Sequence, residues 1–458
     1  MAFEHLVIVL PGISGSVLAK DGKEIWGSSA EAIWRAVTTG GDSIRQLRLP
    51  APDDPNVDDL GDGVTATGLA PDLHIIPGLW KIDGYSGLVR RLREELGLEP
   101  DKNLLTFPYD WRRDNRVSAR RLERFANEKL DAWRKASGNR DAKIVFVVHS
   151  MGGLVARWFL EVLGGWRVAR ALVSFGTPYR GSLNALGYLA NGYAQSVGPL
   201  SLDLTDTLKS FSSVYQLLPA FECVDRGGGR LERVGEIVGL PGVDAARAAE
   251  ALEFYRKMRE AQEANARTQD YVDGKYEIFP IVGIAQPTFQ SAIVSDQGVT
   301  LSRTIGGKDE SGDGTVPRVS AVPLELDHGH KETFVAETHG SLQNFEAALV
   351  QLVGALTGLD IDLGHYRFAA NTVSLDIDDV YPVEEVTIRA TPSIDVPVSA
   401  RIVPASAGGP AVDLPLTPQD GVYVGRTRLE PGAYRVAVVA DFHSGPARAN
   451  DIFLVHSA

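Results

Sequence analysis

Ser150 stands just beyond Ile144–Val148, an unbroken apolar run, with His149 between them, and is followed by Met151, Gly152 and Gly153. A serine at a sharp corner between a strand and a helix can serve as an activated nucleophile. The turn lifts its oxygen above the sheet edge, where a base can reach it, and leaves the Met151 N–H pointing at a developing oxyanion. Such a serine needs a histidine to take its proton and an acid to orient that histidine. Asp313 is flanked by Gly312 and Gly314, and His339 is followed by Gly340 and Ser341, so the order along the chain is Ser150, Asp313, His339. The chemistry this set would perform is acyl transfer through an acyl-serine. Asp309 and Asp327 compete with Asp313, and His328 and His330 compete with His339. One residue departs from the G-x-S-x-G spacing: Val148 stands where the first glycine would be. Read without chemistry, Ser150 is only a helix N-cap.

The surrounding pattern supplies elements that could hold these residues. Leu6–Leu10 reads as a buried strand running into the turn Pro11-Gly12-Ile13-Ser14-Gly15-Ser16. That turn lacks both the Gly-Lys-Ser/Thr ending of a phosphate loop and a dinucleotide spacing, and is read as either an oxyanion loop or a plain β-turn. An irregular stretch from Lys20 to Asp83 carries Trp26, Trp34 and Trp80. Tyr85–Leu96 has leucines at four-residue spacing and predicts an amphipathic helix. Asn103–Phe107 predicts a strand, Ala119–Ala136 a charged helix, and Ala171–Phe175 another strand that opens into Gly176-Thr177-Pro178-Tyr179-Arg180-Gly181-Ser182. Arg180 in that loop is read as either an anion holder or a surface arginine. Residues 183–276 predict an inserted helical cap, which would shape an apolar acyl pocket. Ile278–Ile284 and Glu332–Val335 resume the strands, and Leu342–Leu356 closes them with a helix. Alternating strands and helices imply a doubly wound, mostly parallel sheet.

Composition excludes several classes. With 458 residues, 44% hydrophobic and 23% charged, the chain is globular and long enough for two domains. A net charge of −13 argues against nucleic acid as a partner. Cys223 is the single cysteine, so no intrachain disulfide forms, and the apolar run near the start is too short for a signal segment. A cytoplasmic location is the expectation. Two histidines and one aspartate around 327–330 fall short of a metal-ligand set, and neither metal nor cofactor is expected.

Several blocks together carry a family resemblance. Leu10–Ser16, Ile76-Pro77-Gly78, Phe107-Pro108-Tyr109-Asp110-Trp111-Arg112, His149–Gly153, Gly176-Thr177-Pro178 with Gly181-Ser182, Gly312–Val316 and His339 occur in the order found in the lecithin:cholesterol acyltransferase family. The chain resembles that family over about its first 340 residues, as islands. The resemblance implies an α/β-hydrolase fold with a lipase-like activity that takes an acyl group from a lipid ester and passes it to an alcohol or to water. It further implies Ser150 as nucleophile, Asp313 and His339 as its partners, and the Ile13 and Met151 N–H groups as oxyanion hole. Gly12, Ser14, Trp80, Thr177 and Arg180 are the candidate substrate contacts.

From residue 363 onward, short alternating runs are separated by Pro, Gly and Asp turns. That texture predicts an all-β, immunoglobulin-like sandwich over 363–458, behind a catalytic region over 1–362. The sandwich is expected to brace the hydrolase or to bind a protein partner. Three functions remain in play: an esterase on lipid substrates, working at a membrane surface or in solution; a hydrolase of soluble esters, thioesters or amides; and a hydrolase-shaped binding protein without activity.

Overall fold

The computed structural model describes residues 3–27, 45–50, 53–70, 74–76, 80–197, 200–326, 332–357, 371–380, 385–405, 409–442 and 445–456. Trp34, Pro77, Gly78, His328, His330 and the junction at 362–363 lie outside them. At its centre is a six-stranded sheet in the order Thr333–Val335, Glu277–Gly283, Ala169–Phe175, Ile144–His149, Leu6–Leu10, Leu104–Thr106, with every neighbouring pair parallel. The period-two logic of a strand decides which side chains face which layer. Leu6, Ile8, Leu10, Ile144, Phe146 and Val148 pack with Leu122, Ala126, Leu154 and Val155 on one face. Val7, Val9, Val145 and Val147 pack with Leu88, Leu92, Leu349 and Leu352 on the other. Both faces are therefore covered by helices, as the unbroken apolar runs predict.

The expected helices form with small shifts at their ends. One spans Ser86–Leu96 and stops at Gly97 in the left-handed region. The next runs Asn115–Ser137, four residues longer at its start than the apolar period suggests, because the Asp114 side chain caps it by accepting from the Arg116 N–H at 2.8 Å. The closing helix covers Glu346–Thr357, after a short 3-10 turn at Leu342–Asn344.

Residues 183–276 are less purely helical than expected. The helices Leu183–Asn191 and Ala245–Ala266 are accompanied by the hairpin Ala194–Val197 with Leu200–Asp203. Short strands at Val224–Asp225 and Leu231–Glu232 join Ser291–Ser295 and Gly298–Ser302 in a four-stranded sheet. Strands of two residues carry no readable alternation, which is why sequence periodicity passes over them. The long helix is anchored to the elbow helix by Trp158 stacked on Phe254, ring centroids 4.9 Å apart. A buried polar cluster lies beside it, in which the Glu161 carboxylate accepts from Arg157, Tyr271 and Tyr276.

The C-terminal strands form two four-stranded antiparallel sheets. One contains Val373–Ile377, Val386–Pro392, Thr417–Gln419 and Val422–Thr427; the other contains Val398–Pro404, Val412–Pro415, Gly432–Phe442 and Gly445–Val455. Both contribute to one apolar core that includes Leu375, Ile388, Ile402, Val436, Val438 and Phe453. No helix among the described residues is long and apolar enough to cross a membrane.

Candidate active site

The strand Ile144–His149 is buried throughout, and the helix beginning at Gly152 starts two residues beyond Ser150. Ser150 itself sits at φ 51°, a left-handed conformation that is strained for a residue with a side chain. Its N–H is tied to the Phe175 carbonyl at 2.8 Å, so the neighbouring strand holds the corner. Val148, in the position where glycine stands in the motif, is fully buried and points into the sheet–helix core.

Three side chains far apart in sequence meet at this corner. His339 Nε2 lies 2.9 Å from Ser150 Oγ, and His339 Nδ1 lies 2.7 Å from Asp313 Oδ2. Because Nδ1 faces a carboxylate it carries the proton, which leaves Nε2 as an acceptor for the serine hydroxyl. Asp313 is immobilised as well: its Oδ1 accepts from the Thr315 and Val316 N–H groups at 2.9 and 2.7 Å, and its carbonyl accepts from the His339 N–H at 2.8 Å. The loop after Phe175 must pass directly beside this pair. Gly176, at φ 55°, leaves the space: a Cβ there would stand 2.9 Å from both Asp313 Oδ2 and His339 Nδ1.

His149, the neighbour of the nucleophile, belongs to a second chain of hydrogen bonds. Its Nε2 lies 3.0 Å from the His339 carbonyl oxygen, which can only accept, so Nε2 carries the proton and Nδ1 accepts from the Tyr85 hydroxyl at 2.9 Å. The same hydroxyl oxygen accepts from the Gly12 N–H at 2.8 Å. Full burial and the neighbouring His339 hold the His149 imidazole neutral, with its pKa pushed down to about 3. The chain thus links the Gly12 turn, the elbow and the His339 loop through uncharged groups. Sequence reasoning misses the role of Tyr85 altogether, since a tyrosine heading a helix gives no signal of a partner elsewhere.

Gly12 touches the nucleophile, for a Cβ on it would come within 2.8 Å of Ser150 Cβ. The turn is held by the Phe107–Arg112 block. The Tyr109 hydroxyl donates to the Pro11 carbonyl at 2.9 Å, its N–H donates to Ser16 Oγ at 3.0 Å, and Trp111 Nε1 donates to the Ser16 carbonyl at 3.1 Å. Arg112, wholly buried, binds Asp110 and Asp62 and donates to the Leu47 carbonyl. This block therefore works as a brace.

Above Ser150 opens a cavity of about 320 Å³ that has Ile13, His149, Pro178 and His339 in its wall, with Ala185, Tyr188, Val214 and Leu217 from the region 183–276. Met151 is fully buried, immediately after the nucleophile. Ser14, Thr177 and Arg180 are not part of this wall. Ser14 is buried at φ 60°, and its carbonyl accepts from Trp26 Nε1 at 2.7 Å. Thr177 is packed against Gly153 rather than facing the opening. Arg180 lines a separate cleft with Arg157, Tyr179 and Arg233, because its N–H binds Ser320 Oγ and its carbonyl accepts from Ala220, which turns it away from Ser150. Trp80 stands in the short strand Trp80–Ile82, and its side chain lies outside the described residues. Asp309 is engaged elsewhere, with its Oδ1 accepting from Gln290 and Ser311. The cavity also has a wall that sequence reasoning does not foresee: Leu375, Asp376, Ile377 and Asp451, all from the C-terminal sheets.

Comparison with known proteins adds a family and a set of similar chains. An uncharacterised protein of Saccharomyces cerevisiae is 27% identical over 172 residues, which is 38% of this chain and 23% of the yeast protein. The chain thus spans under a quarter of that relative's length. Among solved structures, the lipase BlEst2 of Bacillus licheniformis in mature form is 12% identical, with 77% of this chain and 92% of that one covered at a TM-score of 0.31. Phospholipase PlaB of Legionella pneumophila is 9% identical, with 81% and 89% covered at a TM-score of 0.34. The family model for lecithin:cholesterol acyltransferase matches residues 78–233, a span that takes in the Phe107–Arg112 brace, the elbow and the loop after Gly176 and ends before Asp313. Over that span the chain matches the family that its motifs resemble.

Proposed function

We propose that this protein is a serine esterase acting on lipid esters, with Ser150 as nucleophile, His339 as base and Asp313 as the group that orients it. The observation that carries the reading is the continuous line from Ser150 Oγ through His339 to Asp313, at 2.9 and 2.7 Å, on the floor of a cavity with one apolar side. In this mechanism His339 Nε2 takes the hydroxyl proton as Oγ attacks the ester carbonyl, and Asp313 stabilises the imidazolium. The Met151 and Ile13 N–H groups receive the oxyanion, each contributing about 3 kcal/mol. His339 then returns the proton to the departing alcohol, and water or a second alcohol releases the acyl group by the same steps in reverse. Lipid is favoured over a small soluble ester because Ala185, Tyr188, Val214 and Leu217 give the cavity an apolar side suited to an acyl chain.

The C-terminal sheets form an immunoglobulin-like sandwich in this reading, supported by the Tyr434 hydroxyl donating to the Glu430 carbonyl at 2.8 Å, the contact of a tyrosine corner. A reducing, cytoplasmic setting belongs to this reading, since Cys223 is the single cysteine, lies buried and can form no intrachain disulfide.

Hydrolysis of a long-chain phospholipid and of a short soluble ester should be measured in one preparation, beside Ser150→Ala. The expected result is turnover of the phospholipid and a loss of about six orders of magnitude in the variant. Asp313→Asn should lose about four orders, through an imidazole held in the wrong tautomer. Turnover confined to the soluble ester would remove the lipid assignment, and an active Ser150→Ala would remove the mechanism.

A further inference from the structure

Glu337 stands two residues before His339 and is fully buried, between the histidine-bearing loop and the C-terminal sheets. Its Oε1 accepts from the Thr338 N–H at 2.7 Å and from the Asn450 N–H at 3.0 Å, and its Oε2 accepts from Asn450 Nδ2 at 2.6 Å. Thr338 Oγ1 completes the clasp by donating to the Asn450 carbonyl at 2.7 Å. Asn450 belongs to the strand Gly445–Val455 of the C-terminal sheets, the strand that also brings Asp451 to the cavity over Ser150. Two further ties fix the sheets against the catalytic region. The Leu375 N–H donates to Gln286 Oε1 at 3.3 Å, and Arg435 Nε donates to Asp83 Oδ1 at 2.8 Å.

The loop that presents His339 is held from its far side as well, where the Asp83 N–H at 2.9 Å and Gln343 Nε2 at 3.0 Å donate to the Gly340 carbonyl. Glu337 N–H binds the Val335 carbonyl at 3.0 Å, His339 N–H binds the Asp313 carbonyl at 2.8 Å, and His149 Nε2 donates to the His339 carbonyl at 3.0 Å. A carboxyl group buried as Glu337 is needs its donors, and two of the three N–H groups on it come from Asn450. Without the Asn450 side-chain amide, Oε2 would lose its partner, and the carboxyl group would shift toward water and draw Thr338 and His339 along.

We infer that Asn450 is a positioning residue for the reaction. By closing on Glu337 it sets the His339 loop, and the C-terminal sheets are thereby part of the active site. The inference rests on the Ser150–Asp313–His339 reading above. It replaces the expectation of a brace or recruiting module with a specific mechanical task.

The test uses the full chain with Asn450→Ala, Asn450→Asp and the exchange Glu337→Gln with Asn450→Asp, beside Ser150→Ala and the exposed-surface control Asp413→Ala. Asn450→Ala should lower kcat on a short soluble ester by about tenfold to a hundredfold, with KM changed by less than about twofold, and slow fluorophosphonate labelling of Ser150 in proportion. Asn450→Asp sets a second carboxyl group against Glu337, with Asp451 adding to the negative charge there. That pair stands only while it shares a proton, so activity should fall as pH rises. In the exchange variant the introduced glutamine amide donates what the introduced aspartate carboxylate accepts, so the rate should return and the fall in activity with rising pH should disappear. Wild-type kcat in Asn450→Ala, or a folded exchange variant with no recovery, would overturn the inference while an inactive Ser150→Ala left the mechanism standing. An active Ser150→Ala would instead bring down the reading on which it rests. Should Asn450→Ala fail to fold, the pH profiles of Asn450→Asp and of the exchange variant decide.

Discussion

Ser150, Asp313 and His339 are legible as candidates because each carries its signal locally: a strained corner after a buried strand, glycines on either side of an acid, and a histidine after a late strand. Tyr85, Glu337 and Asn450 are not, because what distinguishes them is a partner 64 to 113 residues away. Arg180 shows the opposite error, a charged residue in a loop that does open beside Ser150 but turns its side chain into another cleft. Tyr85 offers the sharpest check on the neutral relay. Tyr85→Phe would leave the Gly12 N–H and His149 Nδ1 buried without a partner, each costing about 1–3 kcal/mol. By loosening the Gly12 turn and the His339 loop together, it should lower kcat/KM on a short ester by up to about 100-fold. Steady-state kinetics beside a thermal melt tests this, and a variant that loses stability with unchanged kcat/KM would show that the relay supports the fold alone.

At the scale of elements, the central strands are readable because both of their faces are apolar, and the long helices because their apolar stripes repeat. The start of the helix Asn115–Ser137 is hidden because Arg113, Asp114 and Arg116 interrupt the apolar period where the cap lies. The Phe107–Arg112 block is recognisable as a motif, but its physical task emerges only once Arg112 is seen buried between Asp110 and Asp62, with Tyr109 and Trp111 reaching the Pro11–Ser16 turn. Removing the guanidinium strands both carboxylates. Arg112→Ala should therefore cost about 3–5 kcal/mol of stability, measured by urea unfolding, whereas Arg401→Ala at an exposed pair with Asp413 should cost less than about 1 kcal/mol. Equal costs for the two would remove the brace from the account.

At the scale of the whole molecule, two buried titrating groups, His149 and Glu337, flank His339, and they pull stability in opposite directions. His149 has its pKa lowered from 6.5 to about 3, so its contribution is present above 6.5 and is lost as pH falls toward 3. Glu337 has its pKa raised by burial from 4.5 to about 8, so its contribution is present below 4.5 and is lost as pH rises through 8. Between 4.5 and 6.5 the folded state lacks one proton at His149 and holds one extra at Glu337, so the two slopes cancel. Urea unfolding across pH should show a decline from 6.5 to 8 that Glu337→Gln abolishes, and parallel curves for the two proteins would refute it. The contact responsible is not readable from sequence, since nothing in the alternating texture after residue 363 marks which edge meets the hydrolase. That contact also bears on synthesis. The histidine follows its serine by 189 residues, and Asn450 follows Glu337 by a further 113. At about 5–20 residues per second the ribosome takes roughly 10–40 s to pass from Ser150 to His339. On the function proposed above, a nascent chain therefore carries an unarmed serine from residue 150 until the strand bearing Asn450 has emerged, and membranes near the ribosome are spared its esterase chemistry for that time.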